Sequence, residues 1–303
     1  MVFCYPKLSD WDALYFRLGG PGLGNLLFPW ARAKLLSRQH GYRFVAPTWP
    51  QLKLGPLLRG EFDSRSYFAL FKAGSEDLSG LHRLWVLLMH KRVPEHPSMQ
   101  IGAGKVVVTS GPGALFDGLL DHVTFLREEL ISILAHNRQR ELEQAYASAE
   151  SIAVHVRFGD FSSLDLQIIK GGRANCRQPI EWYVSALEET RKHLGGDVKV
   201  NLFSDAQDEE LLPLMALPGV QRVLGNSAVE DMLLISSHRI LVASGSTFSM
   251  WASFLGQIPT LWFPGQMKFH LLRGDAPEIE YEPGDDLYNF CLRVSKASGV
   301  VKP

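Results

Sequence analysis

Charged side chains alternate with apolar ones in one stretch of this sequence. In SIAVHVRFGD (151–160), His155 and Arg157 are two residues apart, and Asp160 follows after a glycine. On a strand, this spacing places His155 and Arg157 on the same face. A buried arginine is costly unless an anion or a carboxylate meets it, and its planar fork of donors suits phosphate. The stretch predicts either an anion site or a loop held by an Arg157–Asp160 pair.

A second polar stretch, SGSTFS (244–249), lies between a predicted strand and a predicted helix. The first turn of a helix offers free backbone N–H groups and the positive end of the helix dipole. Ser246 and Thr247 add hydroxyl donors there, so a phosphate is a suitable ligand. The alternative is an ordinary serine or threonine N-cap, which many helices have without any ligand.

Two aspartates are further candidates. Asp231 lies in a predicted helix, where its carboxylate can accept from two adjacent N–H donors such as those of guanine. The alternative is a solvated acid beside Glu230. Asp205 ends the stretch VNLFSD, and it is predicted either to hold a ribose or to cap the next helix.

The stretch GGPGLGN (19–25) has four glycines in seven residues and leads into a predicted helix that begins at Asn25. A glycine turn ahead of a helix is a common phosphate-binding arrangement. This one has no Lys-Ser/Thr pair, so it is not a Walker loop, and it does not fit the dinucleotide-binding G-x-G-x-x-G pattern. A dinucleotide-dependent dehydrogenase is therefore not expected.

A regular alternation of elements must position these residues. The predicted strands are 13–18, 42–47, 105–109, 151–158, 198–204, 220–225, 239–245 and 258–263. The predicted helices are 25–38, two within 117–148, and 179–194, 206–216, 228–238, 247–256 and 285–297. Strands that alternate with helices predict parallel sheets covered on both faces, and ligands bind beyond the carboxyl ends of such strands.

We predict an α/β protein of two Rossmann-like domains, 1–148 and 149–303, that face each other across a cleft. The last helix, 285–297, is a candidate to pack back on the first domain. The net charge of −1 gives no overall field for nucleic acid or an anionic membrane. Three widely spaced cysteines and the lack of a signal pattern favour a cytoplasmic protein, with at most peripheral membrane association.

Taken in order, these stretches resemble the GDP-fucose-using fucosyltransferases, above all the bacterial α-1,2-fucosyltransferases of glycosyltransferase family 11. GGPGLGNLLFPWARAKLL is similar to the family opening G-G-L-G-N-Q-x-F-x-Y-A-x-A, and SIAVHVRFGDF to H-x-R-R-G-D-Y. NCRQPIEWYVSAL resembles a segment with a Cys and a Tyr-Tyr pair, and LFSDAQDE resembles F-S-D-D. EDMLLISSHRILVASGSTFSMWASFLG is similar to E-D-x-x-L-M-S…N-S-T-F-S-W-W-x-A-x-L. The resemblance runs from Gly19 to Pro264 and is poorest in 48–148.

The resemblance implies a GT-B fold and an inverting transfer of fucose from GDP-fucose, with no metal or other cofactor. The implied acceptor is an oligosaccharide or a lipid-linked glycan, and no nucleic acid is expected as a partner. By position, the implied catalytic residues are Arg157, Asp160 and Asn25. The residues implied to bind the GDP-sugar are His155, Arg157, Asp205, Asp231, Ser246, Thr247, Phe248, Gly22, Gly24 and Asn25.

Three positions depart from the family pattern. Phe158 stands where the family has a second arginine, Leu26 where it has a glutamine, and Met250 where it has a tryptophan. A transferase of another GDP-6-deoxyhexose, such as GDP-colitose, is therefore one alternative. A non-catalytic glycan- or nucleotide-binding relative is another, although Arg157 on an otherwise apolar strand argues against it.

Overall fold

A computed structural model describes residues 1–12, 15–52, 66–96, 101–135 and 151–297 of the 303-residue chain. The chain divides into two compact units, Met1–Arg140 and Glu141–Pro303. The predicted domain boundary at 148, and the second of the two helices predicted within 117–148, lie outside the described residues. Among the described residues, no helix has both the length and the apolar composition needed to cross a bilayer.

The elements alternate along most of the chain. The strands are β1 (Phe3–Lys7), β2 (Arg17–Leu18), β3 (Arg43–Phe44), β4 (Gln51–Leu52), β5 (Lys91–Pro94), β6 (Lys105–Ser110), β7 (Ile152–Val156), β8 (Val200–Ser204), β9 (Val220–Arg222), β10 (Ile240–Ala243), β11 (Thr260–Trp262) and β12 (Glu278–Glu280). The α-helices are α1 (Leu23–His40), α2 (Gly80–Met89), α3 (Val123–Ser132), α4 (Leu166–Lys170), α5 (Ile180–Leu194), α6 (Asp208–Met215), α7 (Ala228–Ile235), α8 (Thr247–Gly256) and α9 (Tyr288–Ala297).

The N-terminal unit contains a four-stranded parallel sheet in the order β3-β1-β6-β5. The helix predicted at 25–38 is confirmed as α1, which packs on β1 and β6. The strand predicted at 105–109 is confirmed as β6.

The first strand is not where the sequence predicted it. Within 13–18, only Arg17 and Leu18 form a described strand, β2, which pairs with β4 in a separate two-stranded sheet. Residues 13 and 14 lie outside the described residues. The strand of the main sheet is β1, in which Phe3, Cys4 and Tyr5 are all buried. A short strand buried on both faces has no polar alternation, so its pattern is easily missed.

The C-terminal unit contains a six-stranded parallel sheet in the order β9-β8-β7-β10-β11-β12. The strands predicted at 151–158, 198–204, 220–225, 239–245 and 258–263 are confirmed as β7 to β11. Every residue of β7 and β10 is buried, as expected for central strands covered on both faces. This strand order is that of a doubly wound Rossmann sheet.

The last helix belongs to the core of the C-terminal unit. Phe290, Cys291 and Val294 of α9 are buried in the same apolar cluster as Trp182 and Leu187 of α5. These apolar side chains of α9 therefore contribute to the C-terminal core, and the expectation that this helix packs back on the first domain stays a prediction.

Candidate active site

The order of the C-terminal sheet reverses between β7 and β10. β8 and β9 continue from β7 on one side, while β11 and β12 continue from β10 on the other. In open parallel sheets, ligands bind beyond the carboxyl ends of the strands at this switch point. His155 lies in β7 and Arg157 directly follows it, and the stretch 244–249 follows β10. The two polar stretches predicted from the sequence therefore meet at the switch point.

His155 is buried within a cluster of serine hydroxyls. Its Nδ1 lies 2.6 Å from the Oγ of Ser249 and 3.2 Å from the Oγ of Ser244. The Ser244 Oγ also lies 2.9 Å from the Oγ of Ser246. Burial lowers the pKa of His155 to about 3, against an opposing effect of the Asp205 carboxylate. The imidazole is therefore neutral at physiological pH, and it joins the end of β7 to the start of α8.

Arg157 lies between two carboxylates. Its Nη1 is 2.6 Å from the Oδ2 of Asp205, and its Nη2 donates to the Oδ1 of Asp160. The Oδ1 of Asp205 accepts from the backbone N–H groups of Phe158 at 2.9 Å and Gly159 at 3.2 Å. The Arg157–Asp160 pair that the sequence offered as an alternative is thus present, and a second acid shares the same guanidinium.

Asp205 holds the loop after β7 and does not cap the next helix. The cap of α6 is formed by Gln207 and Glu210, whose Oε2 accepts from the Gln207 N–H at 3.1 Å. The helix-cap alternative for Asp205 is therefore wrong. A Cβ on Gly159 would lie 2.3 Å from the Asp205 Oδ2, so the close approach of the loop to this carboxylate requires glycine.

The first turn of α8 has the serine cap that the sequence offered as an alternative. The Ser246 Oγ accepts from the backbone N–H of Ser249 at 3.2 Å. Thr247 and Phe248 are half-buried in the first turn, and the Phe248 ring centroid lies 4.9 Å from that of His155. The turn contains no acidic residue, so the positive end of the helix dipole is not offset by a side chain of that turn.

Two hydrogen-bonding side chains near this turn, Gln178 and Ser249, were not among the residues predicted from the sequence. The buried Gln178 accepts from the Tyr183 hydroxyl at 2.8 Å through its Oε1, which leaves its Nε2 without a hydrogen-bond partner. That Nε2 lies 3.2 Å from where a Cβ on Gly245 would be. Ser249 is fully buried and bonds directly to His155. The signal for Ser249 was present in STFS, whereas nothing in the sequence around Gln178 indicated that its amide approaches Gly245.

Phe158, which replaces the second arginine of the family pattern, has a cation close to its ring. The guanidinium carbon of Arg177 is 5.2 Å from the centroid of the Phe158 ring. The Arg177 Nε lies 3.1 Å from the carbonyl oxygens of Phe158 and Phe161, and its Nη1 lies 2.6 Å from the Oε1 of Glu210. Arg177 therefore links the loop after β7 to α6.

Asp231 lies in the first turn of α7, which follows the carboxyl end of β9. Its Oδ1 accepts from the Nδ2 of Asn226 at 3.1 Å, and its side chain is half-buried. Glu230 is buried in the capping box of Ser227. Glu230 is therefore not solvated, whereas the half-buried Asp231 still reaches solvent, and its role at guanine stays a prediction.

The glycine stretch lies in the N-terminal unit, at the start of α1. Gly22 is the N-cap residue, Gly24 is buried, and Asn25 is half-buried in the first turn. This turn has no side-chain cap and no acidic residue, so its N–H groups keep their positive potential. The approach of Gly22, Gly24 and Asn25 to a donor sugar stays a prediction.

A buried arginine supports the glycine stretch. Arg17 is fully buried, and its Nε donates to the carbonyl oxygen of Thr48 at 3.0 Å. A Cβ on Gly20, which has a φ of +116°, would lie 3.0 Å from the Arg17 Nη1. Burial lowers the pKa of Arg17 to about 10, so the guanidinium stays charged at neutral pH.

A cluster with metal-ligating side chains lies elsewhere on the C-terminal unit. Glu189, His193 and Asp286 offer ligand atoms within 4.8 Å of one another, and two of the three are exposed. Glu189 and His193 lie near the C-terminal end of α5, which leads to the amino end of β8. They are therefore at the opposite edge of the sheet from Arg157. The expectation of a metal-independent site stays a prediction.

The buried imidazole gives the protein a specific pH dependence. The ordinary histidine pKa is 6.5, and the folded-state pKa is depressed, so the stabilisation is present above pH 6.5 and is lost as the pH falls towards 3. When the pH falls from 7 to 5, protonation of this histidine in the unfolded chain should lower the free energy of unfolding by about 2 kcal/mol. Urea unfolding at several pH values should show a smaller loss in His155→Gln than in the wild type.

A matched substitution at an exposed histidine, His40→Gln, controls for the removal of one imidazole. If the free energy of unfolding of His155→Gln falls between pH 7 and pH 5 as much as that of the wild type, the depressed pKa of His155 is contradicted.

Comparison with known proteins gives a family match over part of the chain and a shared fold. The model of glycosyl transferase family 11 matches residues 117–262. The structure of NodZ α-1,6-fucosyltransferase soaked with GDP-fucose covers 90% of this chain and 99% of its own, with 16% identity and a TM-score of 0.55. The same enzyme co-crystallised with GDP covers 86% and 94%, with 14% identity and a TM-score of 0.55.

NodZ from Bradyrhizobium covers 86% of this chain and 96% of its own, with 14% identity and a TM-score of 0.52. No curated protein matches the chain at a significant level. Because the sequence identities are only 14–16%, the structural similarity is evidence for a shared fold alone. It confirms the predicted α/β fold of GT-B type. The resemblance read from the motifs is confirmed over residues 117–262, which carry the sequence pattern of glycosyl transferase family 11. The opening motif at 19–25 lies outside this match.

Proposed function

We propose that this protein is an inverting glycosyltransferase that moves L-fucose from GDP-fucose to a hydroxyl of a glycan, with α-1,2 linkage. The observation that carries the proposal is that Arg157 and the first turn of α8 follow the neighbouring strands β7 and β10 at the switch point. This arrangement lies within the residues that match a glycosyltransferase family. The likeness to the NodZ structures co-crystallised with GDP and soaked with GDP-fucose supports the choice of donor.

The donor diphosphate would be held by the guanidinium and by the α8 turn. Arg157 offers a planar fork, and residues Ser246, Thr247 and Phe248 offer backbone N–H groups at the positive end of the helix. As the sugar bond breaks, negative charge develops on the departing GDP, and fixed donors stabilise that charge. Loss of one such donor costs about 3–4 kcal/mol of barrier. His155 would position this turn as a neutral hydrogen-bonding group.

The two carboxylates on Arg157 are suited to different roles. The Asp205 side chain is 17% exposed and is fixed by two backbone N–H groups, whereas the Asp160 side chain is 40% exposed. We infer that the diphosphate takes the place of Asp160 on the guanidinium, while Asp205 keeps Arg157 oriented and remains a candidate for the ribose. Asp160 is then free to accept the proton of the acceptor hydroxyl as a general base.

The remaining residues would bind the two ends of the donor, the guanine base and the sugar. The Asp231 carboxylate would accept from the N1 and N2 groups of guanine. Asn25, with Gly22 and Gly24, would contribute to the sugar side from the N-terminal unit. The acceptor would be an oligosaccharide or a lipid-linked glycan in surface polysaccharide or oligosaccharide synthesis.

A second candidate function is transfer of another GDP-6-deoxyhexose, such as colitose. Phe158, Leu26 and Met250 favour it, because these are the positions at which the sequence departs from the family pattern. Both candidates use the same groups for phosphate and guanine. They are distinguished by comparing the release of GDP from GDP-fucose and from GDP-colitose.

Removal of the guanidinium tests the catalytic proposal. Arg157→Ala should lower kcat for release of GDP from GDP-fucose by roughly 100- to 1,000-fold, because the leaving diphosphate loses its fixed cation. Arg293→Ala, at an exposed arginine of α9, is the matched control and should keep wild-type turnover. Circular dichroism should show both variants folded, and unchanged turnover in folded Arg157→Ala would exclude this mechanism.

The base preference tests the role of Asp231. Wild-type protein should bind GDP more tightly than UDP in calorimetric titrations, and Asp231→Asn should weaken GDP binding by at least roughly tenfold. Binding of UDP should change little, because uracil has no N1–H and N2–H pair of donors. Asp208→Asn, in the first turn of the neighbouring α6, is the control. Equal losses for the two nucleotides would remove Asp231 from the base site.

A further inference from the structure

Helix α2 has apolar side chains on two opposite faces. Its inner face includes Val86 and Leu87, which are buried in the N-terminal core. Its outer face carries four large apolar side chains, Leu81, Trp85, Leu88 and Met89, which are 80%, 55%, 70% and 69% exposed, respectively. We call these four residues the α2 outer face. Scattered exposed apolar residues are ordinary, but four on one side of a ten-residue helix are a continuous patch.

The helix is fixed in this orientation. At 100° per residue, positions 81, 85, 88 and 89 fall within about one third of the helix circumference. The buried Arg83 lies on the other side, where its Nε donates to the carbonyl oxygen of Ala46 at 2.7 Å. Its guanidinium carbon also lies 5.6 Å from the centroid of the Tyr5 ring. Rotation that would bury the outer face would therefore break these contacts.

The charged residues of α2 and of its flanking segment are all basic, and the exposed ones follow the helix. The segment 78–94 contains no aspartate or glutamate, whereas it contains one lysine, two arginines and two histidines. Lys91 and Arg92 are both exposed just after the helix, and the Arg92 Nη2 donates to the carbonyl oxygen of Leu87 at 3.0 Å. Lys91 is also the register partner of Lys105 on β6, so two lysines begin neighbouring strands next to the end of α2.

Two of the three acids closest to this segment, Asp77 and Glu95, are paired with cations, and the third, Glu76, is exposed at the N-terminal side of α2. The Asp77 Oδ1 lies 2.8 Å from the Nζ of Lys34, and the Glu95 Oε1 lies 2.8 Å from the Nη2 of Arg32. Asp77 and Glu95 therefore do not offset the exposed cations that follow α2, and Glu76 precedes the helix, whereas Lys91 and Arg92 follow it.

We propose that the α2 outer face docks the protein on an anionic lipid bilayer. An apolar helix face with a tryptophan and flanking cations matches the chemistry of the headgroup region, where anionic phosphates meet the acyl chains. A second copy of this chain is a poorer fit, because a symmetric contact would bring the same cations together. The bilayer therefore satisfies both the apolar face and its positive border.

The proposed docking surface does not rest on the proposed function. Lys91 and Lys105 are the first residues of β5 and β6, so the C-terminal end of α2 lies at the amino edge of the N-terminal sheet. Ligand sites in such sheets lie at the carboxyl edge. If vesicle binding fails, the proposed function is not affected. If glycosyl transfer fails, the docking proposal is not affected either.

Vesicle sedimentation with the full chain tests the proposal. Binding should increase when phosphatidylglycerol is added to phosphatidylcholine vesicles, and it should fall at high salt because the cations are screened. Leu88→Ser and Trp85→Ser should each lower the vesicle partition coefficient by roughly tenfold. The matched controls are Leu212→Ser and Trp11→Ser, at side chains that are 58% and 74% exposed elsewhere on the surface. They should keep wild-type binding.

Three results would overturn the proposal. The first is no binding to anionic vesicles by the wild type, and the second is an equal loss of binding in the α2 and control variants. The third is self-association in sedimentation velocity that Leu88→Ser abolishes while vesicle binding is absent, which would assign the α2 outer face to a second copy. The substituted side chains are exposed, so thermal melting should show that all four variants are folded.

Discussion

The pairing of Arg157 with Asp205 is the interaction on which the candidate site depends. The arginine follows β7 and the aspartate follows the neighbouring β8, so the parallel sheet brings them to one edge. Two backbone N–H groups fix the carboxylate, and Gly159 provides the space that the carboxylate needs. A guanidinium in this position is costly to desolvate without a partner. Asp205 pairs with this charge and orients it at the switch point, where ligands bind in sheets of this order.

A second constraint joins this loop to α8. The neutral His155 bonds to Ser249, and the serine hydroxyls continue to the cap at Ser246. The positive end of α8 is therefore held beside the arginine without a charged side chain in its first turn. Because the net charge of the chain is only −1, attraction of an anion has to come from such local groups. A neutral imidazole suits this role, since a charged one would repel Arg157.

The sequence allowed most of the C-terminal sheet to be predicted, because its buried strands are continuous apolar runs separated by amphipathic helices. It also indicated His155, Arg157 and Ser246, whose residue types are unusual for their predicted positions. It did not reveal β1, which is short and buried on both faces, or the role of Asp205, which depends on a contact between residues 46 or more positions apart. The amide of Gln178 and the cation of Arg177 were missed for the same reason. The exposed outer face of α2 could not be predicted, because an apolar run in the sequence does not show how many of its sides are covered in the fold.

Hydrogen–deuterium exchange of the full chain with and without saturating GDP tests the location of the donor site most directly. The account predicts that bound GDP slows exchange in peptides that cover 155–160 and 244–249, on the two sides of the switch point. The N–H groups of these peptides would then be shielded or bonded by the diphosphate. Tight GDP binding that leaves both peptides unchanged and protects another part of the C-terminal unit would contradict the account.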